Sequence, residues 1–336
     1  MPDAADADRA DHVVLVADVG GTFARFALAR GGVLLNAPEK LDRARWPDLA
    51  SACRHYLGTS GGGLRIDGMA IAAAGRVHDG RIDMTNADWS IDPTTLGAEL
   101  GLRARRVRVL NDFAALAWAL PALDAGELLP VTGGAASRAG APPPAGPPLG
   151  NRVVVGPGTG LGVAALLHTR AGWHPLATEG GHASFAPETP FEHAAEALAA
   201  RRFGRVSWER MLSGPGLALL HETARREAGD TGPAGDAAAV LEGCVRGEPA
   251  AIRATRAFVE LLGAFAGDLA LLYDANGGVV IAGGVVPRIA AVLPLDGLRA
   301  RFEAKGRFGS WLAGVPTGLL SAPFPALRGA AIAYRS

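Results

Sequence analysis

Two glycine turns, each preceded by a valine-rich apolar run and followed by a second apolar run, restrict what this chain can become more than any other feature. The first stretch is Val13-Val14-Leu15-Val16-Ala17-Asp18-Val19-Gly20-Gly21-Thr22-Phe23-Ala24-Arg25-Phe26-Ala27-Leu28. The second is Arg152-Val153-Val154-Val155-Gly156-Pro157-Gly158-Thr159-Gly160-Leu161-Gly162-Val163-Ala164-Ala165-Leu166-Leu167. Each reads as a buried strand, a tight turn and a second strand. Gly20 and Gly21 are expected to supply the positive φ angles of a short hairpin at no Cβ cost. Beyond that turn, Ala24, Phe26 and Leu28 share one face and Arg25, Ala27 and Ala29 the other. The N–H groups of Gly20, Gly21 and Thr22 would line a concavity suited to an anion. Asp18 beside it would repel a bare phosphate, which suggests a phosphate carrying magnesium. In the second turn the glycines do not give G-x-G-x-x-G, and a strand rather than a helix follows; no Walker-type G-x-x-x-x-G-K-[ST] occurs anywhere. A strand–turn–strand design used twice implies a duplicated architecture, each half giving one phosphate-cradling turn to a shared cleft.

At 336 residues two domains are the natural expectation. Lys+Arg and Asp+Glu both number 33, so no net field draws in nucleic acid or an anionic membrane. Cys53 and Cys244 fit no zinc spacing and read as reduced structural thiols. The first residues are polar and acidic with no signal-like apolar core, and no stretch is long and apolar enough to span a bilayer. The expectation is a soluble cytoplasmic protein.

Taken in order, Trp46-Pro47 marks the start of a helix over Leu49–Leu57. Gly58-Thr59-Ser60-Gly61-Gly62 matches G-x-S-x-G but lacks the preceding strand and following helix of a nucleophile elbow. Ile66–Ala73 reads as a strand, with a second hairpin at Gly75–Gly80 returning through Ile82 and Met84. Thr85–Trp89 is a polar loop, and Asp92-Pro93 opens the next helix. Val107–Leu110 is a strand that runs straight into Asn111-Asp112, where a helix starts with Phe113, Leu116, Ala117 and Leu120 on one face. Asp112 therefore stands where a strand's carboxyl end meets a helix N-terminus, a place where ligands of open α/β sheets bind and where a plain helix cap also fits. Residues 132–151, with Pro142, Pro143, Pro144, Pro147 and Pro148, read as an exposed loop. Glu179-Gly180-Gly181-His182 is a turn bearing a carboxylate and an imidazole without a partner at metal spacing. Glu209 opens a later helix. Pro249–Asp274 is a long amphipathic helix with Ile252, Phe258, Val259, Leu262, Phe265, Leu269 and Leu272 on its apolar side, and Gly277–Val285 is a strand ending at Gly283-Gly284. The helix at Pro325–Tyr334 is expected to dock on the first domain.

The set Asp18-Val-Gly-Gly-Thr22, Asn111-Asp112-Phe113, Gly156–Gly162, Glu179–His182, Glu209–Gly216 and Ile281–Arg288 resembles, in content and order, the bacterial glucokinases. These belong to the actin/hexokinase/chaperone superfamily. The resemblance implies an α/β, two-domain actin-like ATPase (ribonuclease H-like) fold with a cleft between the domains, a small one of residues 1–121 plus 318–336 and a large one of 122–317. It implies an ATP- and Mg²⁺-dependent kinase of the 6-hydroxyl of D-glucose, acting as a homodimer. By the same resemblance, Asp112 is the carboxylate that takes the proton. Asn111, Glu179, His182 and Glu209 join it in binding the sugar, and Asp18 faces Mg²⁺, directly or through water. Gly20, Gly21, Thr22, Gly158, Thr159 and Gly160 would cradle the phosphates, and Gly283 and Gly284 lie against the adenosine. Phe23 departs from the asparagine common in the family, so any contact from that side chain is lost. The cysteine cluster of the repressor/open-reading-frame/kinase sugar kinases is absent. A kinase of another hexose is the alternative within the fold. A non-catalytic sugar-sensing regulator is a second, disfavoured because the first strand begins too early for a helix-turn-helix ahead of it.

Overall fold

The computed structural model describes residues 9, 11–84, 89–124, 126–131, 150–230, 232 and 235–336. Most of the polar loop (85–88) and of the proline-rich loop (132–149) lies outside the described residues. The chain divides into two compact units, Met1–Leu123 with Ala322–Ser336, and Asp124–Ser321.

The first unit carries β1 (Val14–Val19), β2 (Phe23–Arg30), β3 (Val33–Leu34), β4 (Glu39–Asp42), β5 (Gly68–Ala73), β6 (Ile82–Asp83), β7 (Ser90–Ile91) and β8 (Val107–Asn111). β1 pairs antiparallel with β2 and parallel with β5, and β5 pairs parallel with β8. β3 and β4 both pair with β2. The alternation in β1 and β2 sends Leu15, Ala17, Val19, Ala24, Phe26 and Leu28 into one core with Tyr56, Met69 and Ile71. Val14, Val16, Ala27 and Ala29 enter a second core under the C-terminal helix Pro325–Arg335. A sheet covered on both faces explains why β1 is apolar except at Asp18 instead of alternating with polar residues. Each large side chain so buried contributes ~2 kcal/mol.

Small residues decide how the second face is covered. The helix Asp112–Ala119 buries Ala114, Ala115, Ala117 and Ala119; of the expected face Ala117 and Leu120 are fully buried, Leu116 packs against the core while partly exposed, and Phe113 stays partly exposed. A Cβ on Gly329 of the C-terminal helix would run into the carbonyl oxygen of Ala115, so the two helix backbones approach closely and select the alanine face. Gly68 in β5 is closed by the Tyr334 hydroxyl in the same way. The expected return of a hairpin from Gly75 through Ile82 onto β5 does not occur. β1 and β8 occupy both edges of β5, so residues 78–81 close on themselves and β6 pairs with β7. Gly58, Ser60 and Gly62 straddle the end of the helix Leu49–Thr59, which excludes a nucleophile elbow there.

The second unit repeats the plan with β9 (Leu128–Pro130), β10 (Arg152–Pro157), β11 (Leu161–Thr169), β12 (Gly172–Thr178), β13 (Gly278–Ile281) and β14 (Thr317–Leu320). Its order is β12-β11-β10-β13-β14-β9. β10 pairs antiparallel with β11 and parallel with β13, as β1 does with β2 and β5. The helix Pro249–Leu272 buries Phe258, Val259, Leu262, Phe265 and Leu269 in the core of this unit. Leu272, expected on the same side, is 76% exposed at the helix's last position. The division near the C-terminus also falls later than expected. Residue 318 lies inside β14, and that strand's ladders to β13 and β9 keep the chain in the second unit through Ser321.

Cys53 and Cys244 are both buried and unpaired, and burial pushes the Cys53 thiol well up. Among the described residues no helix is long and apolar enough to cross a membrane.

Candidate active site

In the first unit the parallel strands end in register: Val19, Ala73 and Asn111 form one row. With neighbouring strands ~4.8 Å apart, the β1 turn and the Asn111-Asp112 junction lie ~10 Å from each other along one sheet edge. Asn111 caps the helix that begins at Asp112. Its Oδ1 accepts from the amides of Phe113 (2.9 Å) and Ala114 (3.1 Å), and its Nδ2 donates to the carbonyl of Gly75 at 3.0 Å. The expected role of Asn111 toward a sugar narrows accordingly: only the second Nδ2 hydrogen remains for a hydroxyl. Asp112 follows the cap. It occupies the first helical position, half-buried, with Oδ1 accepting from the Phe113 amide at 3.0 Å, where the helix dipole favours negative charge.

Asp18 and Arg25 face each other across the β1–β2 ladder, and Arg25 Nη1 donates to Asp18 Oδ2 at 3.1 Å. Burial pushes the Asp18 carboxyl above the usual aspartate range, and the guanidinium of Arg25 pulls against it. The turn between them differs from the expected one. Neither Gly20 nor Gly21 has a positive φ, because the connection is a wider one closed by the Gly20 amide on the Phe23 carbonyl at 3.0 Å. The Gly20 N–H is therefore turned inward and gives nothing to an anion. The buried side chain of Arg43 stands over Trp89 and donates through Nη1 to the carbonyls of Gly21 (2.6 Å) and Gly20 (3.3 Å). With the carbonyls so held, the amides of Gly21 and Thr22 make no hydrogen bond among the described residues. A Cβ on Gly21 would meet nothing within 4 Å. Phe23 packs under the ammonium of Lys40, 3.5 Å from its ring centre.

No group of three His, Cys, Asp or Glu side chains that could hold a metal exists among the described residues. With one oxygen on Arg25, Asp18 has its other oxygen to offer. That fits a magnesium ion delivered on phosphates, which fills most of its octahedron with phosphate oxygens and water.

In the second unit the motifs converge on the start of β11. Glu179 leads into the short turn Gly180–His182, whose Gly181 has no room for a Cβ because the Leu161 carbonyl oxygen is there. Arg205 Nη2 donates to the His182 carbonyl at 2.7 Å, and the Trp208 amide donates to the Ala183 carbonyl at 3.0 Å, which brings Glu209 alongside. The imidazole of His182 then lies between two acids, Nε2 3.9 Å from Glu179 Oε2 and Nδ1 3.9 Å from Glu209 Oε1. Glu179 and His182 are open to solvent, and Glu209 is more sheltered. Glu209 Oε2 accepts from the Leu161 amide at 3.0 Å.

The second glycine turn is adjacent to this group. Its Gly158 amide closes on the Gly160 carbonyl (2.8 Å), and its Gly158 carbonyl accepts from the Gly214 amide (2.9 Å) at the start of the helix Gly214–Glu227. As in the first turn, the leading amide is engaged, and those of Thr159 and Gly160 make no hydrogen bond among the described residues. Gly283 and Gly284 follow β13 beside the end of β10, where the Ala282 amide donates to the Val155 carbonyl at 2.8 Å. The expected open approach to the backbone holds for Gly284 only. Gly283, at φ +84°, is filled by the chain itself, the Pro157 carbonyl oxygen standing where its Cβ would go.

Three arginines around these sites were not among the expected residues. Arg25 was readable, because it stands as far beyond the turn as Asp18 stands before it. Arg43 and Arg205 reach their turns from segments that periodicity does not place.

The glucokinase family model matches residues 15–336. The glucokinase of Chromobacterium violaceum is 42% identical over 322 residues, 94% of this chain and 88% of that protein. A bifunctional protein of Burkholderia pseudomallei is 38% identical over 329 residues, 97% of this chain but 49% of its own length. The chain thus spans about half the length of the bifunctional relatives it matches. Among solved structures, the glucokinase from an Antarctic psychrotroph superposes with a TM-score of 0.81 at 32% identity, covering 96% of this chain and 98% of that one. A glucokinase of the repressor/open-reading-frame/kinase family from Streptomyces griseus, solved with glucose and AMPPNP, shares the fold at a TM-score of 0.62 and 20% identity, covering 95% of this chain and 98% of that one. Both sheets therefore belong to the two-domain actin-like fold of the sugar kinases, and the chain is a member of the glucokinase family.

Proposed function

We propose that this chain transfers the γ-phosphoryl group of ATP to the 6-hydroxyl of D-glucose. The observation that carries the reading is the placement of a carboxylate at the β8–helix junction: Asn111 is the N-cap, and Asp112 stands next to it at the first helical position, on the carboxyl edge of a parallel sheet. The 6-oxygen attacks the γ-phosphorus as the bond to the β,γ-bridging oxygen breaks, and the hydroxyl proton passes to Asp112. Phosphoryl transfer through a loose transition state needs alignment and charge compensation more than a strong base, which suits an ordinary carboxylate. Magnesium bound to the phosphates supplies charge compensation when present. The Gly21 and Thr22 amides donate to phosphate oxygens, as do those of Thr159 and Gly160, and Asp18 orients the magnesium side of the nucleotide. Glucose is uncharged, so Glu179, His182 and Glu209 read it through hydroxyls. A site built to pair each hydroxyl rejects a sugar that lacks one, because a desolvated carboxylate or imidazole is then left unpaired.

The test is ATP-dependent phosphorylation of a hexose panel with Asp112→Asn alongside. Glucose is expected to be the preferred acceptor, and Asp112→Asn to lose nearly all turnover. Near-normal turnover in Asp112→Asn removes the proton-transfer assignment, and preference for another hexose makes the chain a kinase of that sugar.

A further inference from the structure

Gly160 stands in the glycine turn that the family pattern gives to phosphate, yet its surroundings belong to the other substrate. A Cβ built on Gly160 would lie 2.5 Å from Oε2 of Glu209 and 3.4 Å from its Cδ. The same Oε2 is held by the amide of Leu161, the next residue. The Leu161 carbonyl in turn occupies the place where Gly181 would carry a side chain, so one peptide segment seats both acid-bearing elements: its N–H fixes Glu209, and its C=O sets the Glu179–His182 turn. Gly158 differs, since a Cβ there would have no neighbour nearer than 4.0 Å. The two glycines of one turn thus have different reasons to lack a side chain.

We infer that Gly160 and the Leu161 amide are the positioning element for Glu209, so that the absence of a side chain at position 160 governs affinity for the sugar, while the Gly160 N–H, which an alanine would keep, stays with the nucleotide. This rests on the reading of Glu209 as a sugar ligand. The empty Cβ position is what lets the carboxylate settle onto the Leu161 N–H. Held there, Glu209 presents Oε1 on the side of His182, and the acceptor that meets the sugar is fixed before the sugar arrives. Such preorganisation raises affinity by removing the cost of ordering a long side chain on binding. The atom that an added methyl would strike is the free end of a flexible side chain, not backbone, and Gly160 has no positive φ. Gly160→Ala therefore displaces the carboxylate and leaves the fold intact.

The experiment measures KM for glucose and for ATP separately in Gly160→Ala, with thermal unfolding as a control. The expected result is a rise of ten-fold or more in KM for glucose, a change of less than two-fold in KM for ATP, and an unfolding temperature close to that of the unaltered protein. Glu209→Asp, which draws the carboxylate back by one methylene, is expected to shrink the effect of Ala at position 160, because two residues acting through one contact do not add. A rise confined to KM for ATP, additive effects of the two substitutions, or no change in either KM overturns the inference. Amide hydrogen exchange gives a readout independent of folding in the Ala variant: Glu209→Ala is expected to speed exchange at Leu161 at least ten-fold, and unchanged exchange overturns the seat. If Glu209→Gln leaves KM for glucose unchanged while exchange at Leu161 responds as expected to Glu209→Ala, then the sugar-ligand reading fails and the seat itself stands.

Discussion

The turns that join β1 to β2 and β10 to β11 share a backbone design and differ in what holds them. In both, the leading glycine amide closes the turn internally, Gly20 onto Phe23 and Gly158 onto Gly160. The first turn is gripped by a cation: Arg43 takes its carbonyls, and Arg25 faces its acid. The second is gripped on its N–H side by an anion, Glu209, and on its carbonyl side by the helix amide of Gly214. Arginine on the carbonyls of the first turn leaves its remaining amides unengaged among the described residues, and in the proposed reading these meet the phosphates while Asp18 faces the magnesium side. A carboxylate on the second turn brings Glu209, the sugar ligand of the proposed reading, into contact with the turn proposed for phosphate. Duplication therefore supplied one backbone device, and the side chains around each copy assigned it a different set of partners.

The largest expected effect tests whether the chemistry sits with the first hairpin's sheet at all. Asp112→Asn keeps the shape of the side chain and removes its proton affinity. Its kcat is expected to fall ~10³-fold, within the usual range for loss of a positioned general base, with KM for glucose nearly unchanged. A steady-state assay with glucose and ATP varied separately decides it, and a loss expressed in KM alone would move Asp112 from proton transfer to binding.

Next comes the cation under the first turn. Arg43→Met keeps much of the packing against Trp89 and removes the bonds to Gly20 and Gly21. Hydrogen bonds from a charged donor contribute ~1.5–3 kcal/mol, so chemical denaturation is expected to show a loss of ~2 kcal/mol. KM for ATP is expected to rise several-fold and KM for glucose to stay close to its original value. An equal rise in both would mean that Arg43 supports the unit in general and not the turn.

Arg25→Met isolates the acid of the first hairpin. Asp18 is already above the ordinary aspartate range because burial disfavours its charged form, and Arg25 offsets part of that. Removing the guanidinium raises the pKa further, so the acid limb of kcat/KM for ATP is expected to move to higher pH. A carboxyl whose pKa is higher folded than unfolded binds more protons when folded, so its unfavourable contribution is present at pH above the folded value and disappears as pH falls through it. Arg25→Met is therefore expected to destabilise at neutral pH and less so in acid. An acid limb that stays in place would detach Asp18 from the nucleotide.

Much of this organisation is legible in the residues. Strand–turn–strand repeats, apolar strands buried on both faces and the Asn111-Asp112 junction all follow from local patterns with a short range of interaction. Where local pattern failed, backbone or a side chain that periodicity does not place had intervened. Alanines rather than Phe113 and Leu116 are buried because Gly329 brings a second helix against Ala115 from far along the chain. Gly20 and Gly21 are not left-handed because Arg43 and Phe23 shape their turn. Gly283 serves the Pro157 carbonyl and Gly160 serves a carboxylate, and a glycine in sequence does not say what fills the space it leaves.

The smallest expected effect bears most directly on the contrast between the two turns. Gly21 has open space where a Cβ would go and no positive φ, so Gly21→Ala meets no steric resistance and loses some unfolded-chain entropy. Stability is expected to stay within ~0.5 kcal/mol of the original. The added methyl stands in the space left for an approaching anion, so KM for ATP is expected to rise a few-fold and KM for glucose to hold. Gly160→Ala is expected to do the reverse. If Ala at 21 and Ala at 160 both weaken ATP alone, the turns are functional copies and the contact with Glu209 is a packing detail. Opposite responses would mean that the same turn, used twice, keeps its missing side chain for the nucleotide in one unit and for the seating of the sugar-binding carboxylate in the other.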